Sequence, residues 1–381
     1  MKADPASDLL TESQACLVLN ALPGVGPIVL HRLREAVGGG FREVLLAPPS
    51  RWEKVRGLQE AGAAALADWS RHFDLPGEEA KLAAAGASFL AWSDDSYPAA
   101  LREIADPPIG LYRRGPADPG RRGVAIVGTR RPTHYGRAVA RELARALVER
   151  DFCVVSGLAQ GIDTAAHESA LAAGGATVAV LGTGLDLAYP PENRALQERI
   201  AATGAILSEF PFGRPASRQS FPRRNRIVAG LSLAVIVVES GAAGGAMITA
   251  RLAGEQGRPV FAVPGRIDQP TSAGCHQLIR DGVTLLTGIE DLLEELGFLG
   301  GRRPLPISPR PGAGLAEASR LTGDEAKVLA RLAGGEILAP DVLAESLAIP
   351  AARISAALLM LELKALAARQ LDGRYEAIDP A

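Results

Sequence analysis

The feature that most constrains the fold is the stretch of residues 122–168, RGVAIVGTRRPTHYGRAVARELARALVERDFCVVSGLAQGIDTAAHE. It contains two short apolar runs, Val124–Val127 and Phe152–Val155, which are separated by apolar residues at helical spacing. A second helix is predicted to begin near Asp163, because aspartate is a good N-cap residue. Strand, helix, strand and helix in this order predict the βαβ unit of an open, mostly parallel α/β sheet.

The turns that follow the two strands are the predicted ligand-binding edge, since open parallel sheets bind ligands beyond the carboxyl ends of their strands. The first turn, Gly128-Thr129-Arg130, has neither the G-x-G-x-x-G dinucleotide fingerprint nor a Walker sequence. It carries arginine, whose planar fork of donors suits phosphate. The edge is therefore predicted to bind phosphate groups rather than a nucleotide cofactor.

The chain of 381 residues is long enough for two or three domains. We predict a helical domain at 1–75, a Rossmann-like sheet domain at 76–299, a Pro- and Gly-rich linker at 300–316 and a small domain at 317–381. Further strands of the sheet are predicted at Ala176–Leu181, Ala205–Leu207, Leu233–Val238 and Pro259–Val263.

The two flanking domains each leave a choice of function. Residues 22–26, Leu-Pro-Gly-Val-Gly, resemble a helix-hairpin-helix turn, whose glycines let backbone amides approach a phosphate. A tight turn in a small helical bundle is favoured over this interpretation, because only Arg32 and Arg34 add charge nearby. The C-terminal pattern of three helices and a strand pair predicts a winged helix. Its third helix carries only Arg353 and Lys364 as basic residues, which favours protein contact or a purely structural role over DNA reading.

Basic charge is concentrated in one segment of the sheet domain. Residues 210–238 contain five arginines and no acidic residue, with Phe221 among the arginines and just before a predicted helix. A basic patch is the footprint of a polyanion site, and an aromatic ring within it suits single-stranded nucleic acid, with phosphates on the arginines and a base on the ring. The glycine pair Gly244-Gly245 precedes a predicted helix and would offer backbone N–H groups to an anion at the same edge.

The sequence gives no support for a catalytic site, a metal site or a membrane-spanning helix. Asp163, His167 and Glu168 lie close together, but no nucleophile or metal-ligand spacing accompanies them, so no catalytic residue, metal or cofactor is assigned. Three widely separated cysteines without paired spacing indicate a reducing compartment. No apolar run approaches the ~20 residues of a membrane helix, and a cytoplasmic protein is predicted.

Seven segments together resemble the DNA-processing protein A family (DprA, also called Smf) over about residues 80–297. They are VAIVGTRRPTHYG, SGLAQGIDTAAHESAL, VAVLGTGLDLAYPPEN, LSEFP, FPRRNRIVAGLS, GGAMITA and FAVPG, in the order that the family has. The flanking domains are similar to the SAM-like and winged-helix domains of some members. The resemblance implies a cytoplasmic protein that binds and protects incoming single-stranded DNA in natural transformation. It also implies loading of the RecA recombinase, contact with single-strand-binding protein and a homodimer formed through the sheet domain.

Motifs and resemblance together nominate one set of DNA-binding residues. These are Gly128, Thr129, Arg130, Arg218, Phe221, Arg223, Arg224, Asn225, Arg226, Gly244, Gly245 and Thr249. Two positions depart from the family pattern: Gly-Gly-Ala stands where a Ser-Gly-Ser-like turn is usual, and His276 stands where asparagine is usual. Both departures leave the positive charges in place and bear on the backbone contacts at Gly245.

Two other classes of function compete with DNA binding. A phosphoribohydrolase acting on nucleoside monophosphates, as in lysine-decarboxylase-like (LOG) proteins, would share the open sheet and a glycine-rich phosphate turn. Such enzymes place a catalytic glutamate after the turn, where this chain has Ala250. A scaffold for recombination proteins would leave the arginine-rich edge unexplained.

Overall fold

The computed structural model describes residues 10–52, 54–300, 321–333, 336–364, 366–370 and 373–378. Apart from Gly300, the predicted linker at 300–316 lies outside the described residues. The chain divides into two compact units, one of Met1–Pro132 with Val139–Leu296 and the other of Thr133–Ala138 with Gly297–Ala381.

Within the described residues, six α-helices and a short 3-10 helix at Pro49–Arg51 form the N-terminal part of the first unit. The α-helices are α1 (Glu12–Ala21), α2 (Pro27–Val37), α3 (Phe41–Leu46), α4 (Glu60–Ala67), α5 (Trp69–His72) and α6 (Leu75–Ala84). Helix α1 begins in a capping box, in which the Gln14 N–H donates to Thr11 Oγ1 and the Thr11 N–H donates to Gln14 Oε1. Leu19 and Phe41 share a buried cluster with Ile109 and Tyr112, so these helices pack onto the sheet and complete one core with it.

A nine-stranded sheet is the centre of the first unit. Its strands are β1 (Ala87–Ala91), β2 (Gly110–Arg114), β3 (Gly123–Val127), β4 (Cys153–Ser156), β5 (Thr177–Leu181), β6 (Ala205–Ser208), β7 (Ser232–Val237), β8 (Val260–Ala262) and β9 (Thr284–Leu285). The spatial order is β1-β2-β6-β5-β4-β3-β7-β8-β9. The β1–β2 and β2–β6 pairs are antiparallel and the other pairs are parallel, which confirms the predicted open, mostly parallel sheet.

Helices cover both faces of this sheet. They are α7 (Ala99–Arg102), α8 (His134–Val148), α9 (Ile162–Ala172), α10 (Arg194–Thr203), α11 (Ser220–Gly230), α12 (Gly245–Glu255), α13 (Ala273–Arg280) and α14 (Ile289–Gly300). Successive residues of a strand point to opposite faces, and in β3 Val124 and Ile126 enter one buried cluster while Ala125 and Val127 enter another. Burial on both faces is the reason these strands read as unbroken apolar runs.

The direction of winding reverses at β3, and this reversal positions the site. Strands β4, β5 and β6 follow β3 on one side, while β7, β8 and β9 lie on the other. Such a switch point leaves a crevice at the carboxyl ends of the central strands. The loops after β3 and β7 meet there, where the Thr129 N–H donates to the Glu239 carbonyl oxygen at 2.7 Å.

The described residues 321–378 have the predicted winged-helix pattern. Helix α15 (Gly323–Leu332) is followed by β10 (Ile337–Leu338), α16 (Pro340–Leu347), α17 (Ala351–Leu363), β11 (Ala367–Arg369) and β12 (Tyr375–Ala377). The strands pair in the order β10-β12-β11 around a core that includes Val328, Leu343 and Leu361.

No single helix of the described residues is long and apolar enough to cross a membrane; α16 and α17, bent by 116°, satisfy that test only as a pair.

Candidate nucleic-acid interface

The loop after β3 is held against its neighbours so that Arg130 points outward. A Cβ atom on Gly128 would lie 2.5 Å from Ile162 Cγ1 and 2.9 Å from the Glu239 carbonyl oxygen, so only glycine fits there. The Ile162 N–H donates to the Thr129 carbonyl oxygen at 3.2 Å, which anchors the loop to α9. Arg130 is exposed and forms no salt bridge within the described part of the chain.

Three side chains from separate loops and helices stack at this edge. The Arg130 guanidinium lies 5.2 Å from the centre of the Phe221 ring, and the Tyr189 ring lies 5.4 Å from it on a tilted plane. Phe221 occupies the first turn of α11, rather than preceding the helix as we expected from the sequence. The result is a pair of aromatic rings with a guanidinium over one of them, and aromatic rings with arginine beside them are groups on which unpaired bases stack.

A small pocket opens beside this stack. It has a volume of about 60 Å³ and is lined by Arg130, Gly157, Ala159, Gln160, Gly182, Tyr189, Pro190, Phe221 and Arg224. Pockets that enclose whole small-molecule ligands typically measure about 300–1,000 Å³. This pocket is therefore sized for a single phosphate group, with the rest of a ligand outside on the surface.

Arg224 brings a second positive charge to the pocket from below. Its side chain is buried, and a Cβ atom on Gly157 would lie 1.1 Å from Arg224 Nη1, so the glycine makes the space for the guanidinium. Burial lowers the pKa of Arg224, with the nearby Arg130 charge acting in the same direction. Its Nε has no hydrogen-bond partner among the described residues. A bound anion would offset the repulsion between the two arginines.

Asp163 lies beneath the same pocket as the partner of Arg224. The expectation that Asp163 caps α9 was wrong, because Gly161 is the N-cap and Asp163 lies inside the first turn. Its Oδ2 accepts the N–H groups of Gly157 at 3.0 Å and Ala159 at 3.3 Å, and lies 4.0 Å from Arg224 Nη1. Burial raises the pKa of Asp163, while Arg224 and these N–H groups oppose the rise. The carboxylate therefore organises the turn after β4.

His167 lies on the same helix as Asp163 but away from the pocket surface. It is fully buried, with Nδ1 2.7 Å from Thr177 Oγ1. Burial, aided by the positive charge of Arg224, lowers its pKa to about 3. A neutral, enclosed imidazole of this kind packs the helix against the strand.

Two of the predicted arginines are paired with carboxylates, Arg226 in the interior and Arg223 at the surface. Arg226 is buried and bonded to Glu209, and its Nε lies 3.2 Å from Asp106 Oδ2. Arg223 lies 3.4 Å from the other oxygen of Glu209 and stacks over the Phe210 ring at 5.0 Å. The segment 210–238 has no acid of its own, yet the fold supplies three from outside it, since Asp163 also faces Arg224. Arg214 and Arg218 are exposed and form no salt bridge with any described residue.

The glycine pair begins α12 as predicted, with Gly244 as the N-cap and Gly245 as the first helical residue. Gly245 is exposed and nothing lies within 4 Å of a Cβ built on it, so its backbone is open to a ligand. Asn225 Nδ2 reaches the Gly245 carbonyl oxygen at 3.5 Å and joins α11 to α12. Thr249 is only 2% exposed, which places its hydroxyl in the interior.

The structure thus divides the predicted residues into a surface group and a supporting group. Arg130, Arg218, Phe221 and Gly245 reach the surface, while Arg224 underlies the pocket. Gly128, Asn225, Arg226 and Thr249 lie between elements or within the core. Sequence reasoning missed Tyr189, although it lies in the loop that follows β5 at the same sheet edge. Among the described residues, no three His, Cys, Asp or Glu side chains group to hold a metal ion.

Comparison with known proteins identifies relatives for both parts of the chain. Residues 88–297, more than half of the sequence, match the family model of DNA recombination-mediator protein A, and residues 311–373 match the DprA winged helix domain. Protein Smf of Synechocystis is 49% identical over 216 residues, which cover 55% of this chain and 54% of that protein. The match therefore spans about half the length of this relative.

Two solved structures are similar to this one. DNA processing protein A from Streptococcus pneumoniae has a TM-score of 0.64 at 35% identity, covering 75% of this chain and 98% of that one. DNA processing protein A from Helicobacter pylori, described for its unique single-stranded DNA binding mode, has a TM-score of 0.50 at 35% identity, covering 55% and 95%.

The buried pairing of Arg226 predicts a stability effect that an exposed arginine would not have. Arg226→Ala should lower the free energy of unfolding by about 3–5 kcal/mol, because it leaves Glu209 as a buried charge with one partner fewer. Arg218→Ala, on the surface, should change it by less than about 0.5 kcal/mol. Urea unfolding of the two variants measures this difference. Similar small changes in both would show that the Arg226 pair does not hold α11.

Proposed function

Since the chain belongs to the DNA recombination-mediator protein A family, we propose that it is a single-stranded DNA-binding recombination mediator. The observation that carries this proposal is the stack of Arg130, Phe221 and Tyr189 above the buried Arg224. Stacking is tolerant of base identity, and guanidinium groups bind phosphate, so the site suits a strand of any sequence.

The geometry supports a division of work along one strand. A phosphate would enter the pocket between Arg130 and Arg224, and the adjacent base would lie on the Phe221 ring. Arg218 lies three residues before Phe221 and would hold a neighbouring phosphate. Gly245, at the exposed N-terminus of α12, would offer backbone N–H groups and the positive end of the helix dipole to a further phosphate.

Single strands are favoured over duplex DNA at this site because paired bases do not present their faces. A ring at a sheet edge reaches a base only when the base is unstacked.

Cytoplasmic location is part of the proposal and is supported by three free, buried cysteines. Protection of incoming DNA in natural transformation follows from the same binding mode.

Loading of RecA onto the bound strand is a further part of the proposal, with single-strand-binding protein as a second partner. The family description as a recombination mediator supports it. RecA filament growth on DNA covered with single-strand-binding protein tests the partnership. Unchanged growth on addition of this protein would count against it.

The enzymatic alternative receives less support from the same residues. A phosphoribohydrolase needs an acid at the glycine-rich turn and an enclosed space for the nucleotide. Ala250 is buried in the core, and the pocket of about 60 Å³ is small for a nucleoside monophosphate. The Asp163 carboxylate already accepts the N–H groups of Gly157 and Ala159 and faces Arg224. We therefore propose a binding protein rather than an enzyme.

The proposed roles of Phe221 and Arg218 predict different binding signatures. Phe221→Ala should weaken binding to oligo(dT) by about 1–3 kcal/mol through loss of stacking, with little change in salt dependence. Arg218→Ala should reduce the slope of log K against log[salt] by about 0.7, the contribution of one phosphate contact on a single strand. Fluorescence anisotropy at several salt concentrations measures both quantities.

Arg71→Ala is a matched control for the Arg218 and Phe221 variants. Arg71 is exposed, pairs with Asp68, and is far in sequence from the residues of the candidate site. This control should leave both quantities unchanged. Equal slopes in the Phe221 and Arg218 variants would refute the division of roles, and tighter binding to blunt duplex than to oligo(dT) would refute the proposed function.

We propose that two copies associate along the open edge of the sheet. Strand β9 is the last strand in the order, Leu285 on it is 43% exposed, and Ile267 in a nearby loop is 95% exposed. Leu278 and Ile279 are half-buried, whereas Leu286 belongs to the core. An apolar edge strand with free backbone groups is a ready surface for pairing.

Ile267→Asp combined with Leu285→Asp should therefore convert a dimer into a monomer, because charges would replace the apolar contact. Sedimentation velocity at micromolar concentration measures the change. Leu233→Asp, at a residue of similar exposure on β7, should leave the dimer intact. A wild-type protein that is already monomeric, or a double variant that remains dimeric, would contradict this interface.

The C-terminal domain is proposed to contact proteins rather than DNA. Arg353 of α17 and Lys364 at its C-cap are both paired, with Asp324 and Glu325 respectively, each at 2.6 Å. The exposed positions of the helix include Leu359, Met360 and Leu363. A groove-reading helix needs free donors for phosphates and base edges, and these side chains offer an apolar surface instead.

A protein truncated after Gly300 should consequently bind single-stranded DNA with nearly full affinity. The expected loss is less than about tenfold, equivalent to about 1.4 kcal/mol. Anisotropy with oligo(dT) measures the affinity, and circular dichroism checks that the truncated protein is folded. A larger loss in a folded protein would show that the winged helix contributes directly to DNA binding.

A further inference from the structure

The N-terminal helices contain a second glycine turn similar to that of residues 22–26, and sequence reasoning missed it. Gly24 lies three residues before α2 begins at Pro27, and Gly57 lies three residues before α4 begins at Glu60. Both glycines have left-handed backbone angles, with φ of 77° and 95°. These angles favour glycine at each turn. The two turns therefore share one feature of a helix-hairpin-helix turn, a left-handed glycine three residues before a helix.

The two turns pack on each other reciprocally. A Cβ atom on Gly24 would lie 3.0 Å from the backbone nitrogen of Gly62 on α4, and one on Gly57 would lie 3.3 Å from Val29 Cγ2 on α2. Gly62 and Val29 occupy equivalent positions, each two residues after the start of its helix. Each hairpin thus rests on the helix that follows the other, as expected for a pair related by a two-fold axis.

A basic groove lies beside the second hairpin. Its volume is about 530 Å³, and it is lined by Arg32, Glu35, Ala36, Arg51, Lys54, Val55 and Arg56. Four of these residues are cations, all exposed, and Glu35 is the acid among them. None of the four cations forms a salt bridge with another residue in the described ranges, so their charge is available to a ligand.

Backbone carbonyl groups hold two of the guanidinium heads in place. Arg32 Nη1 donates to the Arg56 carbonyl oxygen at 3.1 Å, and Arg51 Nη2 donates to the Val37 carbonyl oxygen at 2.6 Å. The first contact ties α2 to the second hairpin, and the second lies at the end of α2. Because the carbonyl groups are neutral, they orient the cations without neutralising them.

We propose that this groove binds the phosphate backbone of duplex DNA, independently of sequence and of the single-strand site. Four exposed cations, two of them oriented by carbonyl groups, match a polyanion, and such contacts carry no base information. The groove-lining residues include no aromatic side chain, so the stacking surface that selects unpaired bases is missing from this groove. A rigid duplex keeps the faces of its bases stacked and presents phosphates along its outside. It is therefore the nucleic acid that fits a basic groove without aromatic side chains.

The test measures duplex binding in a full-length protein whose single-strand site is weakened by Arg218→Ala and Phe221→Ala. In that background, Lys54→Ala combined with Arg56→Ala should weaken binding to a blunt, labelled duplex. The slope of log K against log[salt] should fall by about 1.8, at about 0.9 for each lost phosphate contact. In the otherwise wild-type protein, the same pair should leave oligo(dT) affinity within about twofold, since these single-strand contacts lie elsewhere.

Arg71→Ala combined with Arg251→Ala is the matched control, because it removes the same charge from exposed arginines that pair with Asp68 and Glu255 outside the groove. It should not alter the duplex slope. Equal effects of the two pairs, an unchanged slope in the groove variant, or no duplex binding by the background protein would each overturn the proposal. The oligo(dT) arm reports on the single-strand site separately, so failure of one proposal is distinguishable from failure of the other.

Discussion

The candidate site depends on two buried arginines that fix helix α11 to the sheet. Arg226 is bonded to Glu209 after β6 and to Asp106 before β2, while Arg224 fits into the space left by Gly157 and faces Asp163. Buried charges are tolerated only with partners at close range. The position of the helix is therefore set by these partners, and with it the position of Phe221 on its first turn.

Near this site, the role of an arginine depends on how deeply its side chain is buried and not on its position in the sequence. The arginines closest to the core neutralise carboxylates, whereas Arg130 and Arg218 at the surface face solvent without a carboxylate partner among the described residues. An exposed cation keeps its hydration until a phosphate replaces it, while a buried one would be unstable alone. Arg224 lies between these cases, since its Nε remains without a partner while Asp163 lies 4.0 Å from Nη1.

The same separation of roles recurs in the flanking regions. In the N-terminal helices, the hairpin glycines allow two helical units to pack closely, and the cations gather in a groove beside them. In the C-terminal unit, the cations of α17 are paired and apolar side chains are exposed instead. The two flanking regions thus present opposite surface chemistry, and the surface residues rather than the fold indicate their function.

The sequence by itself determined the sheet and the edge where the site lies. Unbroken apolar runs such as Val124–Val127 report burial on both faces, and the turns after them must lie at one edge because parallel strands end together. Only the tertiary structure decided which arginines are free. Glu209 and Asp106 reach Arg226 across the fold, and Tyr189 joins Phe221 from another loop. A local pattern of apolar residues predicts whether a residue is buried. The carboxylate that pairs with a given arginine of this site, in contrast, comes from a segment distant in sequence.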